Sequence, residues 1–171
     1  LETAAEESKV GVIYVAQGTY KPDERGGVRT SSFVIPPGIE VYGGFQKGGG
    51  ILEERDPSIF VTILSGDLND DDGPAYLNFD ENSYHVVQFE DSSSSVLDGF
   101  EISGGNADDS FHTSGGGIIL SGGVVRNCRI VNNKSKYYGG GLYNEGASSR
   151  IENSSFLSNK SFHGGGIYNS D

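Results

Sequence analysis

The chain has 171 residues and a formal net charge of -12, with 27 glycines, a single cysteine and no methionine or tryptophan. One cysteine excludes an internal disulfide, and the acidic excess argues against nucleic acid and anionic membrane surfaces as partners, because both are bound through lysine and arginine. No stretch reaches the roughly 20 apolar residues of a membrane-spanning helix, so we expect no direct membrane insertion by this segment.

The first half of the chain predicts a short helix and then irregularly spaced strands. Residues 1–9, rich in alanine and glutamate, predict the remnant of a capping helix. Within residues 10–95, short runs of alternating apolar residues predict strands, because a period of two buries one face. These runs cover 11–16, 32–35, 39–42, 61–64 and 84–89. Residues 21–30 and 45–60 predict surface loops between them.

An acidic run follows the fourth predicted strand and is the best candidate for a binding site. It places five oxygen-bearing side chains within six residues: Asp67, Asn69, Asp70, Asp71 and Asp72. Calcium accepts six to eight oxygen ligands in flexible geometry. The run therefore has two interpretations, a calcium site or a solvated turn at a corner of the fold. Residues 106–109 form a second acidic cluster with the same two interpretations.

The second half, residues 96–171, contains an internal repeat. Glycine triplets, each followed by an aliphatic residue, recur at steps of 24 and 25 residues, and a second block recurs between them. Within this block Asn127 aligns with Asn153, and Asn133 with Asn159. We expect the glycines to pack closely at corners and the asparagines to stack in ladders. The repeat residues are Gly115, Gly116, Gly117, Gly139, Gly140, Gly141, Gly164, Gly165, Gly166, Asn127, Asn133, Asn153, Asn159 and Phe156.

The repeat predicts an all-β solenoid. Strands of three to five residues, separated by glycine, asparagine and serine, leave no room for crossover helices, so each strand must pair in parallel with its own copy one turn later. A turn of about 25 residues at roughly 3.3 Å per residue gives a perimeter near 80 Å, which suits three short faces. We expect a single parallel β-helix domain over residues 1–171, with about six to seven rungs.

The combination of a Gly-Gly-x-[Ile/Leu/Val] element with a Phe-x-x-Asn element resembles the repeats of the chlamydial polymorphic outer-membrane proteins. Gly164-Gly165-Gly166-Ile167 and Phe156-Leu157-Ser158-Asn159 carry it most clearly. Residues 13–20 look like the opening turn of pectin-lyase-like proteins. The resemblance implies a right-handed helix on a secreted or bacterial cell-surface protein. This group includes both enzymes and non-catalytic adhesins, so the resemblance does not choose between these functions.

No recognised catalytic set stands out. Glycoside hydrolysis needs two carboxylates across the scissile bond, and β-elimination needs a metal with a basic residue. The available carboxylates are Asp67, Asp71 and Asp98, and the available bases are Arg126, Arg129 and Arg150. Cys128 is interpreted as a small buried thiol. The remaining candidates are His85, His112 and His163, interpreted as surface or edge residues, and Tyr137, Tyr138, Tyr143 and Tyr168, interpreted as a stacked ladder or a contact strip for sugar or protein.

These observations give one leading function and one alternative. The leading hypothesis is a non-catalytic stalk or adhesin-like passenger segment of a longer protein, binding carbohydrate or a surface protein of a host or neighbouring cell. The alternative is a polysaccharide lyase or glycoside hydrolase that acts on acidic polysaccharide. Calcium is the only cofactor that the residues suggest.

Overall fold

Parallel pairing between successive turns of the chain builds the whole molecule. The computed structural model describes residues 11–90 and 94–170, and the predicted cap remnant at 1–9 lies outside them. Within the three main sheets each strand pairs in parallel with its copy in the neighbouring coil, on both sides for the three inner strands and on one side for the two edge strands. The fold is an all-β parallel β-helix with three faces, as the repeat predicts.

Each of the three faces is a five-stranded parallel sheet. Sheet A consists of β1 (Val12–Ala16), β4 (Glu40–Phe45), β7 (Val96–Asp98), β11 (Gly123–Arg126) and β15 (Ser149–Glu152). Sheet B consists of β2 (Gly18–Tyr20), β5 (Thr62–Ser65), β8 (Glu101–Ser103), β12 (Arg129–Val131) and β16 (Ser155–Leu157). Sheet C consists of β3 (Phe33–Ile35), β6 (Val87–Phe89), β10 (Ile118–Leu120), β14 (Leu142–Asn144) and β17 (Ile167–Asn169). The short strands β9 (Asn106–Ala107) and β13 (Lys134–Ser135) pair at one corner.

The described residues make five coils, where the sequence predicted six to seven, because long loops leave the coil. Phe45 is the last residue of β4 and is buried, so the loop after it spans residues 46–61, with a short 3-10 helix at Leu52–Glu54. A second loop, residues 66–86, separates β5 from β6 and contains 3-10 helices at Pro74–Tyr76 and Phe79–Glu81. We call these loop 1 and loop 2.

The core is a set of apolar ladders, one from each face. In sheet B the ladder passes from Leu64 to Ile102, Ile130 and Phe156, with each residue paired to the next in register. Leu97 pairs with Val125 in sheet A. Because the strands alternate, each one places one or two residues in the interior, such as Ile118 and Leu120 of β10, and a fully buried side chain contributes about 1.5–3 kcal/mol. Stacked copies of the same position therefore supply most of the core.

Asparagines lie at corners between the sheets and also hydrogen-bond to their copies in neighbouring coils. Asn127 and Asn153 have φ values of 53° and 46° and follow strands of sheet A, a left-handed conformation that asparagine tolerates well. Asn133 is fully buried, and its Nδ2 donates to Asn159 Oδ1 (3.1 Å) and to the carbonyl of Ile102 (2.9 Å). These bonds link the corner after β12 to the coils on either side of it.

No helix in the described part of the chain is long and apolar enough to span a membrane.

Candidate functional site

The outer face of sheet B is flanked by loops at both edges. Ile102, Ile130 and Phe156 point into the core, so the alternate residues, among them Glu101, Arg129 and Ser155, face outward. Loop 1 borders the edge where these strands begin, and loop 2 borders the edge where they end. Each loop encloses a cleft, of about 690 Å³ beside loop 1 and about 610 Å³ beside loop 2. We call the first the arginine cleft and the second the acidic cleft.

The arginine cleft is organised by one buried carboxylate. Asp98, 3% exposed at the end of β7, accepts Arg55 Nη2 at 2.5 Å, Arg126 Nε at 2.6 Å and Asn127 Nδ2 at 2.9 Å. Burial alone would raise the pKa of Asp98, but the hydrogen bonds from these three residues outweigh it and lower that pKa below its usual range. The carboxylate therefore stays ionised and holds both guanidinium groups in place.

The rest of this cleft combines a ring with polar side chains. The guanidinium groups of Arg55 and Arg126 lie 5.2 and 5.9 Å from the ring centroid of Tyr42. Arg129 is half exposed on the cleft wall and forms an ion pair with Glu101. Arginine matches planar carboxylates with paired donors, and a tyrosine ring adds apolar area. Tyr42 is only 7% exposed, so its ring packs beside the two arginines, and the half-exposed Arg129 is the group best placed to hydrogen-bond a polar ligand.

The acidic cleft lies under loop 2. Asp67 and Asp72 line it, together with Tyr76 and the outward face of β8. Tyr76 reaches across the cleft, where its hydroxyl donates to the carbonyl of Ser158 in the corner after β16. Loop 2 therefore contacts a coil far along the axis from the one that it leaves.

The structure brings together three of the five predicted calcium ligands and adds one more. Ligand oxygens of Asp67, Asp71, Asp72 and Glu81 all lie within 4.8 Å of one another. Burial raises the pKa of Asp72 to about 7; Asn82 opposes this rise, and the neighbouring carboxylates add to it.

Of the other two predicted ligands, Asp70 pairs with a lysine, and Asn69 contacts the group through its backbone. Asp70 has a φ of 60° and forms an ion pair with Lys21 at 2.6 Å. The backbone N–H of Asn69 donates to Glu81 Oε1 at 3.4 Å. Glu81 was missed at the sequence level because it lies at the end of a separate 3-10 helix. Its only sequence signal is the neighbouring run of acidic and amide residues at 78–82.

The second acidic cluster, at residues 106–109, is divided between two structural roles. Asp108 forms an ion pair with Arg29 at 2.8 Å, and Arg29 also donates to the carbonyls of Asn82 and Asn106. Asp109 accepts the backbone N–H groups of residues 111 and 112. Among the described residues, metal-ligand groups of three or more occur only at the acidic cleft. Arg29 thus ties the loop at 21–32 to two others.

Two histidines that are 27 residues apart in sequence meet in the structure. His85 is 7% exposed, and its Nδ1 donates to the carbonyl of Gly115 at 2.9 Å. Its Nε2 must then accept, and it lies 3.0 Å from His112 Nδ1. The Tyr84 ring stacks on His112 at 4.5 Å. The interpretation of His85 as a surface or edge residue is therefore wrong. Its side chain is buried, and each ring nitrogen has a hydrogen-bond partner. His163 is exposed and stacks on Tyr138.

This burial gives the protein a specific dependence on pH. Burial lowers the pKa of His85 to about 4, below its ordinary value of 6.5. The unfolded chain binds more protons between these values, so the contribution of neutral His85 is complete above pH 6.5 and is lost as pH falls toward 4. We expect a loss of up to about 3 kcal/mol in the free energy of unfolding across this range. Urea titrations at several pH values measure it, and the loss should be much smaller in His85→Gln.

The other candidates from the sequence are each held by contacts with neighbouring residues. Cys128 is buried, and burial raises the pKa of its thiol to about 12, which keeps it protonated and unreactive. The rings of Tyr143 and Tyr168 stack with centroids 5.9 Å apart and planes at 9°. Arg150 lies on sheet A and forms an ion pair with Glu152. Arg150 does not line the arginine cleft, although its partner Glu152 pairs in register with Arg126.

Comparisons of the chain with protein-family models, curated proteins and solved structures give no match. The fold and the two clefts define the protein as a parallel β-helix with a loop-walled groove on one face.

Proposed function

We propose that the chain is a non-catalytic stalk segment of a secreted or cell-surface protein and that it binds an extended carbohydrate along the outer face of sheet B. The observation that carries the proposal is the pair of clefts. Loops 1 and 2 stand at opposite edges of the same sheet, so the face between them is a groove with two walls.

The groove follows the solenoid axis. The arginine cleft is lined by Tyr42, Asp98 and Arg126, which are register partners in coils two, three and four, and by Asn153 in coil five. Successive coils rise by about 4.8 Å, so this wall extends for about 14 Å. A ligand that contacts all four coils must be long and thin, as an oligosaccharide of a few units is.

The chemistry of the arginine cleft favours an acidic glycan. The side chain of Arg129 is 53% exposed, and that of its ion-pair partner Glu101 is 21% exposed, so water still screens part of this pair. A ligand carboxylate can displace such a partner and gain paired hydrogen bonds from the guanidinium. The asparagine and serine side chains of the same cleft can bond sugar hydroxyls.

The repeat motifs support the cellular setting of the proposal. The Gly-Gly-x-[Ile/Leu/Val] and Phe-x-x-Asn elements resemble those of the chlamydial polymorphic outer-membrane proteins, which suggests display at a bacterial surface. In that setting the bound carbohydrate belongs to a host, a neighbouring cell or the surrounding matrix. A surface protein presenting acidic glycans would be held in the same way.

Binding of uronic-acid oligosaccharides, measured by isothermal titration calorimetry, tests the proposal. Arg129→Ala should weaken the affinity by about tenfold or more, because it removes the most accessible guanidinium of the groove. Arg150→Ala is the matched control, an exposed arginine that also has one glutamate partner but lies outside the clefts. Equal affinities for both variants, or no binding by the unaltered chain, would contradict the proposal.

The same oligosaccharides separate binding from catalysis. Incubation with the protein should produce neither new reducing ends nor unsaturated ends. If cleavage occurs and disappears in Asp67→Asn, a carbohydrate-active enzyme replaces the binding module, since Asp67 and Asp72 line the acidic cleft beside the groove.

A further inference from the structure

Loop 2 folds four carboxylates into one small volume. Asp67 follows β5, Asp71 and Asp72 lie in the next turn, and Glu81 ends the second 3-10 helix of the loop. One oxygen from each can be chosen so that all four lie within 4.8 Å of one another. Calcium binds oxygen at about 2.4 Å, so two ligands on opposite sides of one ion are about 4.8 Å apart. The four oxygens therefore fit around a single calcium ion.

The four carboxylates have no cationic side chain paired with them in the described residues. Six ion pairs form there, and none includes Asp67, Asp71, Asp72 or Glu81. The nearby lysine, Lys21, is paired with Asp70. Backbone N–H groups reach the carboxylates of Asp67 and Glu81 only at 3.3 to 3.4 Å. Such long bonds offset little of the repulsion.

A separate observation also points to a bound ion. Asn82 is 0% exposed and is directed at the cluster, with its Nδ2 at 2.8 Å from Asp72 Oδ2. Its other amide atom, Oδ1, is buried and has no hydrogen-bond partner within the described ranges, and the same is true of Asp72 Oδ1. A buried oxygen without a partner costs about 1–3 kcal/mol, so native structures rarely leave one. Both atoms are acceptors, and each requires a donor or a cation.

We propose that loop 2 binds one calcium ion through Asp67, Asp71, Asp72 and Glu81, with Asn82 Oδ1 available as a further ligand. An all-oxygen set of carboxylates and an amide suits a hard cation. Calcium is favoured over magnesium because it accepts more ligands in less regular geometry, whereas magnesium retains waters in a strict octahedron. The ion would join the start of loop 2 to its second 3-10 helix and fix the wall of the acidic cleft. The proposal of a calcium site does not rest on the proposed glycan binding.

Two measurements on the intact chain test the site without any glycan. Calcium at about 5 mM should raise the melting temperature by about 5 °C or more relative to chelator, and magnesium should raise it much less. Terbium, which replaces calcium on oxygen ligands, should luminesce on tyrosine excitation, because Tyr76 lines the same cleft as Asp67 and Asp72. Tyr76→Phe should remove most of that signal, and calcium should displace the terbium.

Two substitutions in loop 2, each of which removes one negative charge, test whether the four carboxylates are the calcium ligands. Glu81→Gln should weaken terbium affinity by about tenfold or more and remove the thermal shift, because it removes one of the four carboxylate ligands. Asp80→Asn removes an exposed neighbouring charge and should leave both readouts unchanged. If Glu81→Gln does not fold, Asp71→Asn at the exposed member of the cluster takes its place. No calcium shift in the unaltered chain, or equal effects of Glu81→Gln and Asp80→Asn, would overturn the proposal.

Discussion

Alanine in place of Gly116 should lower the free energy of unfolding by at least about 3 kcal/mol, one of the largest effects expected from a single methyl group in this protein. A Cβ atom there would lie 2.2 Å from the carbonyl oxygen of Lys134 and 2.9 Å from that of Gly140. Both oxygens belong to the backbone of the next coil, so no side-chain rotation relieves the overlap. The coils would have to separate, and the sheet hydrogen bonds on both sides would weaken.

Urea unfolding followed by far-ultraviolet circular dichroism measures this loss, with Gly50→Ala as the control. At Gly50 the nearest atoms to a new Cβ would be Phe45 Cδ1 at 3.7 Å and Glu54 Oε2 at 3.9 Å, which are ordinary contacts. The control should change the free energy of unfolding by no more than about 0.5 kcal/mol. Similar values for the two variants would mean that the coils are not packed as closely as the glycine triplets require.

Asp98→Ala is expected to destabilise the fold by about 3–5 kcal/mol, because it leaves the guanidinium groups of Arg55 and Arg126 facing one another without their shared anion. The carboxylate of Asp98 is 4% exposed, and the Arg55 side chain is 12% exposed, so water cannot replace it fully. The change also weakens the attachment of loop 1 to sheet A, which then rests on bonds such as that from the Asp56 N–H to the Gly44 carbonyl (2.8 Å). Thermal unfolding and proteolysis within residues 46–61 should both report the loss.

Glu152→Ala provides the comparison for this experiment. Its partner Arg150 is 71% exposed, and exposed pairs contribute about 0–1 kcal/mol. We expect the melting temperature of this variant to stay close to that of the unaltered chain. A loss below about 1 kcal/mol in Asp98→Ala would show that the buried ion network does not hold loop 1.

The repeated half of the chain could be predicted in detail because each position recurs one coil later. Residues that align between repeats show which side chains face the core and which lie at corners. The glycine triplets align Ile118, Leu142 and Ile167, and these three are register partners in sheet C. The alternation at Ile130 and Phe156 correctly placed both side chains toward the core. Short parallel strands with a fixed period allow few other arrangements, so local pattern and global fold agree.

The loops could not be predicted in the same way because they have no copy in another coil. Arg55 meets Asp98 across 43 residues, and Glu81 joins Asp67 only after loop 2 has turned through two 3-10 helices. Asp70 has a φ of 60°, in the left-handed region, and a residue in this conformation changes the direction of the backbone. Side chains that are neighbours in the acidic run therefore point to different places in the structure. The number of coils was overestimated for the same reason, since residues in the loops add length without adding a coil.

Both clefts therefore come from the parts of the chain that interrupt the repeat. The solenoid supplies a regular face together with Asp98, Arg126 and Arg129, and the two loops supply the walls, Arg55 and the carboxylates of the acidic cleft. Functional groups often lie on loops held by a rigid scaffold. In this protein the scaffold also sets the direction of the groove, because equivalent positions recur along the axis at each coil.

Mapping the contact surface by nuclear magnetic resonance tests the central claim most directly. Amide chemical shifts of the isotope-labelled chain would be followed during titration with a uronic-acid oligosaccharide. The proposed groove requires the largest changes at Asn127, Arg129 and Ser155 and in residues 55–58 of loop 1, with little change at Tyr143 and Tyr168 on sheet C. Changes confined to the tyrosine face, or no changes at saturating oligosaccharide, would contradict a carbohydrate-binding groove on sheet B.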